Sequence, residues 1–324
     1  MAFATRDPAE YFHLSHLQSV EGDNAWYSNQ RFLGRGGNGT AFLVTATSGD
    51  LFGIQLVLKV LHRISDETRR AAFLEETRIL QQLAHPAIIR IFDEGVFSIG
   101  DRKHPFAVVE YVPSTARQLL DAGRIDRLIA IRIVMNCLSA LQTLHGLSQP
   151  ICHRDIKPEN ILIGPAGAKL ADFGLAKVLS SSSISGTTAD GACDDEVNDL
   201  SQWPGMPFAY RTPEQIARIK DRARGVAPTV EVSPASDIYQ LGTVFYELLT
   251  GFNPQRRRQR IDDDIELDLR ALHGVQAGAL DKLIAQMLER DPSARPTAAA
   301  CLQRLNPVHK DFCAALREAT GQDV

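Results

Sequence analysis

The sequence predicts an α+β protein with two unlike lobes: a small lobe of antiparallel β-sheet plus one helix, then a larger, mostly helical lobe. Residues 26–112 contain short strand-like runs separated by glycine-rich turns, a pattern typical of a sheet. After Pro113 the apolar residues recur at helical spacing over long stretches. Strands and helices that are segregated along a chain in this way favour two lobes of different architecture.

The first lobe takes its strands and its helix from different periodicities. Alternating or continuous apolar runs with turns between them predict the strands, whereas residues 66–84 place Phe73, Thr77, Leu80 and Ala84 on one helical face, and His85-Pro86 ends that helix. The predicted strands are Phe32-Leu33, 41–44, 51–60, 88–97 and 106–112.

The second lobe is predicted from long amphipathic patterns. The helices are expected at 126–145, 236–250, 279–290 and 297–305. We accordingly predict an N-terminal extension at 1–25, the first lobe at 26–112, the second lobe at 113–306 and a C-terminal tail at 307–324.

Composition narrows the classes of function. The chain has 324 residues and a net charge of −4, which argues against a general nucleic-acid or membrane surface. Its five cysteines are far apart and form no CxxC pair, so neither a disulfide framework nor a zinc site is expected. Residues 1–30 lack a signal-peptide pattern, and no apolar run approaches the ~18 residues of a membrane span. We therefore expect a cytoplasmic protein.

A glycine-rich stretch, LGRGGNGTAF, lies between two predicted strands. Gly34, Gly36 and Gly39 have the spacing G-x-G-x-x-G, which is a weak signal by itself. A dinucleotide fold needs these glycines to open a helix, but here strand follows strand. The sequence therefore predicts a hairpin whose backbone N–H groups can approach phosphate oxygens.

Lys59 lies within an apolar strand, IQLVLKVL. The ordinary interpretation is a lysine whose long side chain reaches the surface. The helix that follows offers Glu75 and Glu76, and either carboxylate could instead hold the ammonium in a fixed place. A fixed cation near a glycine hairpin would bind phosphate.

Polar residues crowd the stretch ICHRDIKPENILIG, residues 151–164, between apolar flanks. Buried charge is costly unless it is paired or used. Asp155 and Asn160 lie in this stretch and Asp172 follows in LADFGLA, so three oxygen-bearing side chains are predicted near one another. Magnesium prefers such ligands and usually shares them with phosphate oxygens.

Taken in order, these motifs resemble the eukaryotic-type (Hanks-type) serine/threonine protein kinase family. The resemblance covers about residues 30–306, and the compact form is similar to the bacterial members. Its motifs are the glycine loop, the strand lysine, the helix glutamate, HRDIKPEN, DFG at 172–174, TPE at 212–214, SDIYQLG at 236–242 and DPSARPT at 291–297.

The resemblance implies a two-lobed protein kinase fold and a role for each matching residue. Asp155 would accept or orient the proton of the substrate hydroxyl, and Lys157 would neutralise the transferring phosphoryl group. Asn160 and Asp172 would hold Mg²⁺, and Glu76 would pair with Lys59. The residues implied at the ATP site are Leu33, Gly34, Gly36, Gly37, Asn38, Gly39, Ala41, Val57, Lys59, Glu76, Val109, Glu110, Val112 and Leu162.

Other family positions imply structural roles. Glu214 and Arg295 would form a buried ion pair, Asp237 would anchor the catalytic-loop backbone, and His153 would pack against Phe173. Glu159 stands where some relatives recognise a basic residue of the substrate.

Two features depart from the family pattern. Ala41 and Val57 replace the usual valine and alanine, a swap that nearly conserves apolar volume. In the activation segment, 172–214, Pro207 stands where relatives have a threonine, so either Thr212 substitutes or the segment works differently. Arg154 would hold either a phosphorylated residue or an acidic side chain of this segment. The candidates are Ser185, Thr187, Thr188 and Ser201 for phosphorylation and Asp194, Asp195, Glu196 and Asp199 for direct pairing.

The resemblance implies an ATP-dependent enzyme that phosphorylates serine or threonine of a protein partner. Two alternatives stay open: a pseudokinase that acts as a nucleotide-binding scaffold or allosteric partner, and a small-molecule kinase of related fold. A regulatory partner and a homodimer also stay open.

Overall fold

The computed structural model divides the chain into unit 1, Met1–Pro113, and unit 2, Ser114–Val324. Unit 1 is mostly antiparallel sheet and unit 2 mostly helix, which confirms the predicted two-lobed α+β class. The residues that the structure describes are 14–35, 39–61, 74, 77–99, 102–172, 177–178, 207–227, 231–257, 267 and 277–320.

Unit 1 contains a six-stranded sheet in the order β1-β2-β3-β4-β6-β5, in which every neighbouring pair is antiparallel. Residues 77–81 are helical, inside the predicted helix at 66–84, most of which lies outside the described residues. The strands are β1 (Ser19–Glu21), β2 (Trp26–Arg35), β3 (Gly39–Ala46), β4 (Gln55–Leu61), β5 (Ile91–Ile99) and β6 (Arg102–Glu110).

The two faces of this sheet differ because side chains alternate along each strand. Phe42, Leu58 and Val108 belong to a core face of almost fully buried residues. The intervening residues on the opposite face, such as Val57 and Lys59, are only partly buried. A half-open face of this kind can accept a ligand, whereas the core face cannot.

Residues 14–25 belong to unit 1 and are not a separate extension as predicted. Leu14, Val20 and Ala25 are buried in its core, and β1 pairs with β2. The fully buried carboxylate of Asp93 holds this segment, since it accepts hydrogen bonds from the backbone of Asn24 and Ala25. The sequence does not predict this packing, because β1 is too short to show a periodicity and Asp93, which holds the segment, lies far along the chain.

The predicted strand at 51–60 begins only at Gln55. Residues 51–53 form a turn in which Gly53 has a φ of +80° and its N–H donates to the carbonyl of Ala46. The apolar Leu51 and Phe52 gave this turn the composition of a strand, but the left-handed glycine between them and Gln55 excludes extended backbone.

Unit 2 is built from six helices among its described residues and from two small sheets, β10-β9-β7 and β11-β8. The strands are β7 (Ser114–Thr115), β8 (Ile151–Cys152), β9 (Ile161–Gly164), β10 (Gly167–Leu170) and β11 (Lys177–Val178). The helices are α1 (Ala116–Asp121), α2 (Arg127–His145), α3 (Pro213–Ala223), α4 (Pro234–Thr250), α5 (Ala277–Met287) and α6 (Ala298–Thr320).

Helix α4 is the centre of unit 2, since all its residues from Ser236 to Leu248 are buried. Ser233 begins it with a capping box, and Gly251 ends it in the left-handed conformation, with a φ of +75°. Its buried polar residues, including Asp237, Gln240 and Glu247, must be satisfied inside the protein. Asp237 and Gln240 bond to the catalytic loop, and Glu247 bonds to Tyr210 of the predicted activation segment.

Helix α2 is the one helix among the described residues that is long and apolar enough to cross a membrane. The core helix of a water-soluble domain meets the same criterion, and α2 packs against α4, α6 and β10. Nine of its residues, from Ala130 to Leu144, are buried within unit 2. Its apolar composition is therefore explained by protein packing.

Helix α6 continues to Thr320, although the sequence predicts its end at 305 and a separate tail from 307. Pro307 suggested a helix end because proline lacks an N–H donor. The apolar stripe continues beyond it, since Leu305 and Val308 are buried. The guanidinium carbon of Arg127, in α2, also lies 5.7 Å from the centroid of the Phe312 ring. Packing on α2 thus outweighs the single lost hydrogen bond.

Candidate active site

The catalytic-loop carboxylate predicted from HRDIKPEN is held by its own neighbours. Lys157 Nζ lies 2.7 Å from Asp155 Oδ2, and the Asn160 side-chain amide donates to the same oxygen at 2.9 Å. Asn160 also donates to the Asp155 carbonyl at 2.8 Å. The structure therefore brings these three predicted residues together, with a carboxylate fixed in place and a cation beside it.

Asp237 of α4 fixes the backbone that carries this carboxylate. Its two oxygens accept the N–H groups of His153 and Arg154, each at 2.8 Å, and one of them also lies 2.9 Å from His145 Nε2. Arg154 has a φ of +68°, a conformation that side-chain-bearing residues rarely adopt. The fully buried aspartate stabilises this turn, as the resemblance implies for Asp237.

Two glutamines that the sequence did not identify complete this support. The side-chain amides of Gln215 and Gln240 donate to the Arg154 carbonyl at 3.0 and 2.9 Å. Gln240 Oε1 accepts the N–H of Ile156 at 2.9 Å. The residues on both sides of Asp155 are thereby bonded to α3 and α4.

Asp172 follows directly on backbone that is tied to the catalytic loop. The Ala171 N–H donates to the Asn160 carbonyl, and the Ala171 carbonyl lies 2.9 Å from Nε2 of the fully buried His153. Asp172 itself has a φ of +68°. The predicted packing of His153 on Phe173 lies outside the described residues.

The donor set suits magnesium when phosphate completes it. Asn160 and Asp172 offer the hard oxygen atoms that Mg²⁺ prefers. Among the described residues no group of three or more histidine, cysteine, aspartate or glutamate side chains could hold a metal ion. Asn160 and Asp172 are the two residues that would hold the metal, with phosphate oxygens completing its coordination.

Unit 1 places several predicted ATP-site residues on one face of its sheet. Ala41 lies opposite Lys59, which lies opposite Ala107, and Val57 lies opposite Val109. Residues that are directly opposite in antiparallel strands share a face, as do residues two apart along one strand. Ala41, Val57, Lys59 and Val109 therefore line the partly buried face described above.

The two described glycines of the hairpin have different surroundings. A Cβ at Gly39 would lie 2.4 Å from the Val60 carbonyl oxygen, so this position has no room for a side chain. A Cβ at Gly34 would meet no atom within 4 Å. Close packing against Val60 therefore requires glycine at position 39. At position 34 packing makes no such demand, and the family resemblance implies instead that a ligand approaches the backbone there.

The remaining predicted ATP-site residues are distributed over both units. Leu33 and Val112 are partly buried in unit 1, and the Glu110 carboxylate accepts the Arg90 N–H at 2.8 Å. Leu162 is partly buried in β9 of unit 2, paired with Thr115 and Lys169. The predicted residues outside the described part of the chain are Gly36, Gly37, Asn38, Glu75 and Glu76.

Thr212 caps a helix, so its described contacts do not support the role of substitute threonine. Its hydroxyl accepts the Gln215 N–H at 3.2 Å, and its own N–H donates to Gln215 Oε1 at 3.0 Å. Pro207 begins a 3₁₀ turn that runs to Tyr210. The candidate phosphorylation sites and acidic residues at 185–201 lie outside the described residues.

The predicted ion pair between Glu214 and Arg295 is present and buried. Arg295 binds both oxygens of the Glu214 carboxylate, at 2.7 and 2.9 Å. The side chain of Arg295 is 0% exposed and that of Glu214 is 2% exposed. Ser236 donates a further bond to Glu214 at 2.6 Å. Burial alone would raise the pKa of Glu214, but its bonds to Arg295 outweigh that effect and lower the pKa.

Glu159 contacts Arg117 of α1, a residue that the sequence did not identify. The Arg117 Nε donates to Glu159 Oε1 at 2.9 Å, and its other nitrogens reach Tyr210 and Glu247. Arg117 carries no motif, and its partners lie 42, 93 and 130 residues away. No local pattern could have predicted this cluster.

Comparison with known proteins agrees with the motifs and the geometry. The protein kinase domain family matches residues 27–305. Similar proteins include the serine/threonine-protein kinase pkn3 of Myxococcus xanthus, 29% identical over 314 residues, which are 88% of this chain and 50% of that protein. PknL of Mycobacterium tuberculosis is 30% identical over 303 residues, 90% of this chain and 65% of that protein.

A third relative is the probable serine/threonine-protein kinase PknB of Lactococcus lactis, 34% identical over 229 residues, 68% of this chain and 31% of that protein. The chain thus spans between about a third and two thirds of the length of these relatives. The match of the family to residues 27–305 nevertheless covers most of the chain and includes every predicted site residue. The chain belongs to the protein kinase family and resembles its bacterial, Hanks-type serine/threonine members.

Proposed function

We propose that this protein is an ATP-dependent serine/threonine protein kinase. It transfers the γ-phosphoryl group of Mg-ATP to a hydroxyl group of a protein substrate. The observation that carries the proposal is the Asp155 carboxylate, held by both Lys157 and Asn160 on a backbone that Asp237 fixes. A scaffold protein has no need of such a preorganised carboxylate.

Each residue has a definite task in this reaction. Asp155 orients the acceptor hydroxyl and takes its proton, while Lys157 stabilises the negative charge that develops beside it. Mg-ATP, when bound, supplies the phosphoryl group, and Asn160 and Asp172 are the residues that would hold its metal. Little covalent work falls to the protein, because positioning and charge stabilisation supply most of the rate in phosphoryl transfer.

Lys59 is proposed to bind the phosphates from unit 1. Its position on the half-open face, in line with Ala41 and Ala107, supports this role. The decisive assay follows transfer of labelled phosphate from ATP to a generic protein and to the chain itself. We expect transfer by the wild type and a fall of roughly 10²-fold or more for Lys59→Met, since one charge-stabilising donor is lost.

The same assay separates the alternatives. ATP binding without transfer by the wild type would contradict the proposal and favour a pseudokinase. Transfer to small molecules but to no protein would favour a small-molecule kinase. An unchanged melting temperature of Lys59→Met is the control that its loss of activity is not a loss of folding.

The swapped pair Ala41 and Val57 yields a prediction about ATP affinity. The two residues lie diagonally on one sheet face, so their side chains can share one contact with the purine. We expect Ala41→Val to raise the dissociation constant for ATP roughly fivefold or more by overpacking this face. The double variant Ala41→Val/Val57→Ala should restore it, as measured by calorimetric titration. Tighter binding by Ala41→Val alone would refute the compensation.

A cytoplasmic location is part of the proposal. It is supported by the wide spacing of the cysteines, four of which are free thiols in the described structure. The protein substrate is proposed only as a class, with a serine or threonine acceptor.

A further inference from the structure

Glu94 is a buried carboxylate on the same face of the unit 1 sheet as Lys59. Lys59 lies opposite Ala107, and Ala107 lies opposite Glu94, so the three side chains share one face. Neighbouring strands are about 4.8 Å apart, which places Glu94 roughly 10 Å from Lys59 along this face. Glu94 is only 4% exposed. Burying a carboxylate costs free energy, so its place on this face requires a partner.

A bulge in β5 turns Glu94 toward this face. Ile91 lies opposite Val109, but Asp93, two residues later, lies opposite the adjacent Val108. An extra residue in one strand shifts the alternation of the side chains that follow it. Asp93 therefore faces the core of unit 1, and Glu94 faces the opposite side of the sheet.

Arg78 pairs with Glu94 from the helix at 77–81. Arg78 Nε donates to Glu94 Oε1 at 2.8 Å, and the Arg78 side chain is 55% exposed. No other described group donates to the Glu94 carboxylate, whose Oε2 atom is buried without a hydrogen bond. Burial raises the pKa of the Glu94 carboxyl, and Arg78 opposes this effect. The carboxylate therefore depends on Arg78, since a buried charge that loses its partner is costly.

This ion pair anchors the helix that directly follows Glu76 in the sequence. Thr77 and Leu80 are almost fully buried, so one side of the helix packs into unit 1. Successive residues of a helix are about 100° apart, so an anchor at Arg78 fixes the rotation of the helix about its axis. The sequence predicts that this helix includes Glu76, and the direction of its side chain would depend on the same rotation.

The N-terminal strap, which we define as residues 22–25, bonds to β5 at Asp93 and Glu94. The Asp23 N–H donates to the Glu94 carbonyl at 2.9 Å. Two further N–H groups of the strap donate to the fully buried Asp93 carboxylate, at 3.1 and 3.2 Å. The family match begins at residue 27, so the strap lies outside it. The strap is therefore a feature of this chain that holds the backbone of Glu94.

We propose that Glu94 is a positioning residue for phosphoryl transfer, held in place by the N-terminal strap. Through Arg78 it fixes the helix that presents Glu76 to the phosphate-binding Lys59. The inference rests on the proposed kinase function. In this role Glu94 needs no contact with ATP, because it acts through the predicted pair of Glu76 and Lys59.

The first test is a double-mutant cycle on kcat. Glu94→Gln keeps the shape of the side chain but removes the charge that holds Arg78, and we expect kcat to fall roughly tenfold or more, as for a misplaced catalytic group. In the background of Glu76→Gln the same substitution should have no further effect, because the pair that it positions is already lost. Glu21→Gln, the same change at an exposed position of β1, is the matched control and should leave kcat unchanged.

The second test displaces the strap and leaves the ion pair intact. A Cβ at Gly22 would lie 2.3 Å from Asp93 Oδ2, so Gly22→Ala pushes the strap away from β5. We expect kcat to fall roughly threefold or more, and again only when Glu76 is present. Gly278→Ala, in α5, is the matched control, since a Cβ there would meet no atom within 4 Å.

The third test needs no activity. Hydrogen–deuterium exchange of the backbone amides at 77–84 measures how firmly the helix is held, and exchange in β3 measures the stability of the sheet. We expect Glu94→Gln to speed exchange at 77–84 and to leave β3 unchanged. A general loss of stability would instead speed exchange in both segments.

Each result either supports or overturns the proposal. An equal loss of kcat with and without Glu76, or no loss at all, overturns it, since Glu94 then does not act through Glu76. Unchanged exchange at 77–84, or faster exchange in both segments, overturns it as well. If Glu94→Gln does not fold, Arg78→Lys moves the charge without removing it and should show smaller changes of the same kind. A wild type that transfers no phosphoryl group refutes the proposed kinase function, whereas the exchange measurement still decides whether Glu94 anchors the helix.

Discussion

The substitution Asp155→Asn is expected to lower the rate of phosphoryl transfer by about 10²–10⁴-fold, the contribution of a positioned general base. The amide keeps the size of the carboxylate and one oxygen that can accept the bond from Lys157. It cannot take the proton of the acceptor hydroxyl or pair with Lys157 by charge. The dissociation constant for ATP should change little, because the proposed contacts of the nucleotide lie on other residues.

Single-turnover transfer of labelled phosphate and calorimetric ATP binding measure the two quantities separately. Asp50→Asn, at an exposed turn of unit 1, removes the same charge and is the matched control. The double variant Asp155→Asn/Lys157→Met should be little slower than Asp155→Asn alone, since residues that act as a unit are not additive. Undiminished transfer by Asp155→Asn would exclude this residue as the base.

The sequence predicts those residues of the site that lie close to one another along the chain. Asp155, Lys157 and Asn160 lie within a few residues of one another, so their clustering follows from their spacing along one loop. The alternation of β4 likewise predicts that Val57 and Lys59 share a face. These features can be predicted from one sequence because they depend on short separations along the chain and on a regular periodicity.

The contacts that support the catalytic loop cannot be predicted from the sequence in this way. Arg117 meets Glu247 across 130 residues, and Gln240 reaches the Arg154 carbonyl across 86. Polar side chains on a buried helix such as α4 indicate that partners exist, but not which ones. The same limit applies to the segment before β2, where Asn24 and Ala25 donate to Asp93, 69 and 68 residues later.

Replacing Arg295 by methionine is expected to cost about 3–5 kcal/mol of unfolding free energy, because it leaves the Glu214 carboxylate buried without its cation. Arg295 also donates to the carbonyls of Glu289 and Ala235 and lies 4.7 Å from the centroid of the Tyr239 ring. The melting temperature should fall by on the order of 10 °C. Urea unfolding of Arg295→Met and of the exposed control Arg224→Met measures the difference.

The partner variant tests whether charge pairing is the cause. Bonds to Arg295 lower the pKa of Glu214 in the folded protein, so this pair stabilises the fold above the unfolded pKa of about 4.3 and loses its effect as pH falls through the folded pKa. Glu214→Gln should therefore be less stable than the wild type at neutral pH, and the two unfolding free energies should converge as the pH falls through the folded pKa of Glu214. A difference that stays constant over this range would assign the loss to packing.

The apolar double variant Glu214→Leu/Arg295→Met separates the cost of breaking the pair from its net contribution. Neither charge is left alone in this variant, so it should recover part of the stability that Arg295→Met loses. Recovery would mean that the pair serves mainly to fix α3, which carries Gln215, against the segment ahead of α6. In that case kcat of the double variant should be below that of the wild type although its stability returns, since Gln215 would no longer hold the Arg154 carbonyl in a fixed place. Recovery of both stability and kcat would instead show that apolar packing alone is sufficient to position α3.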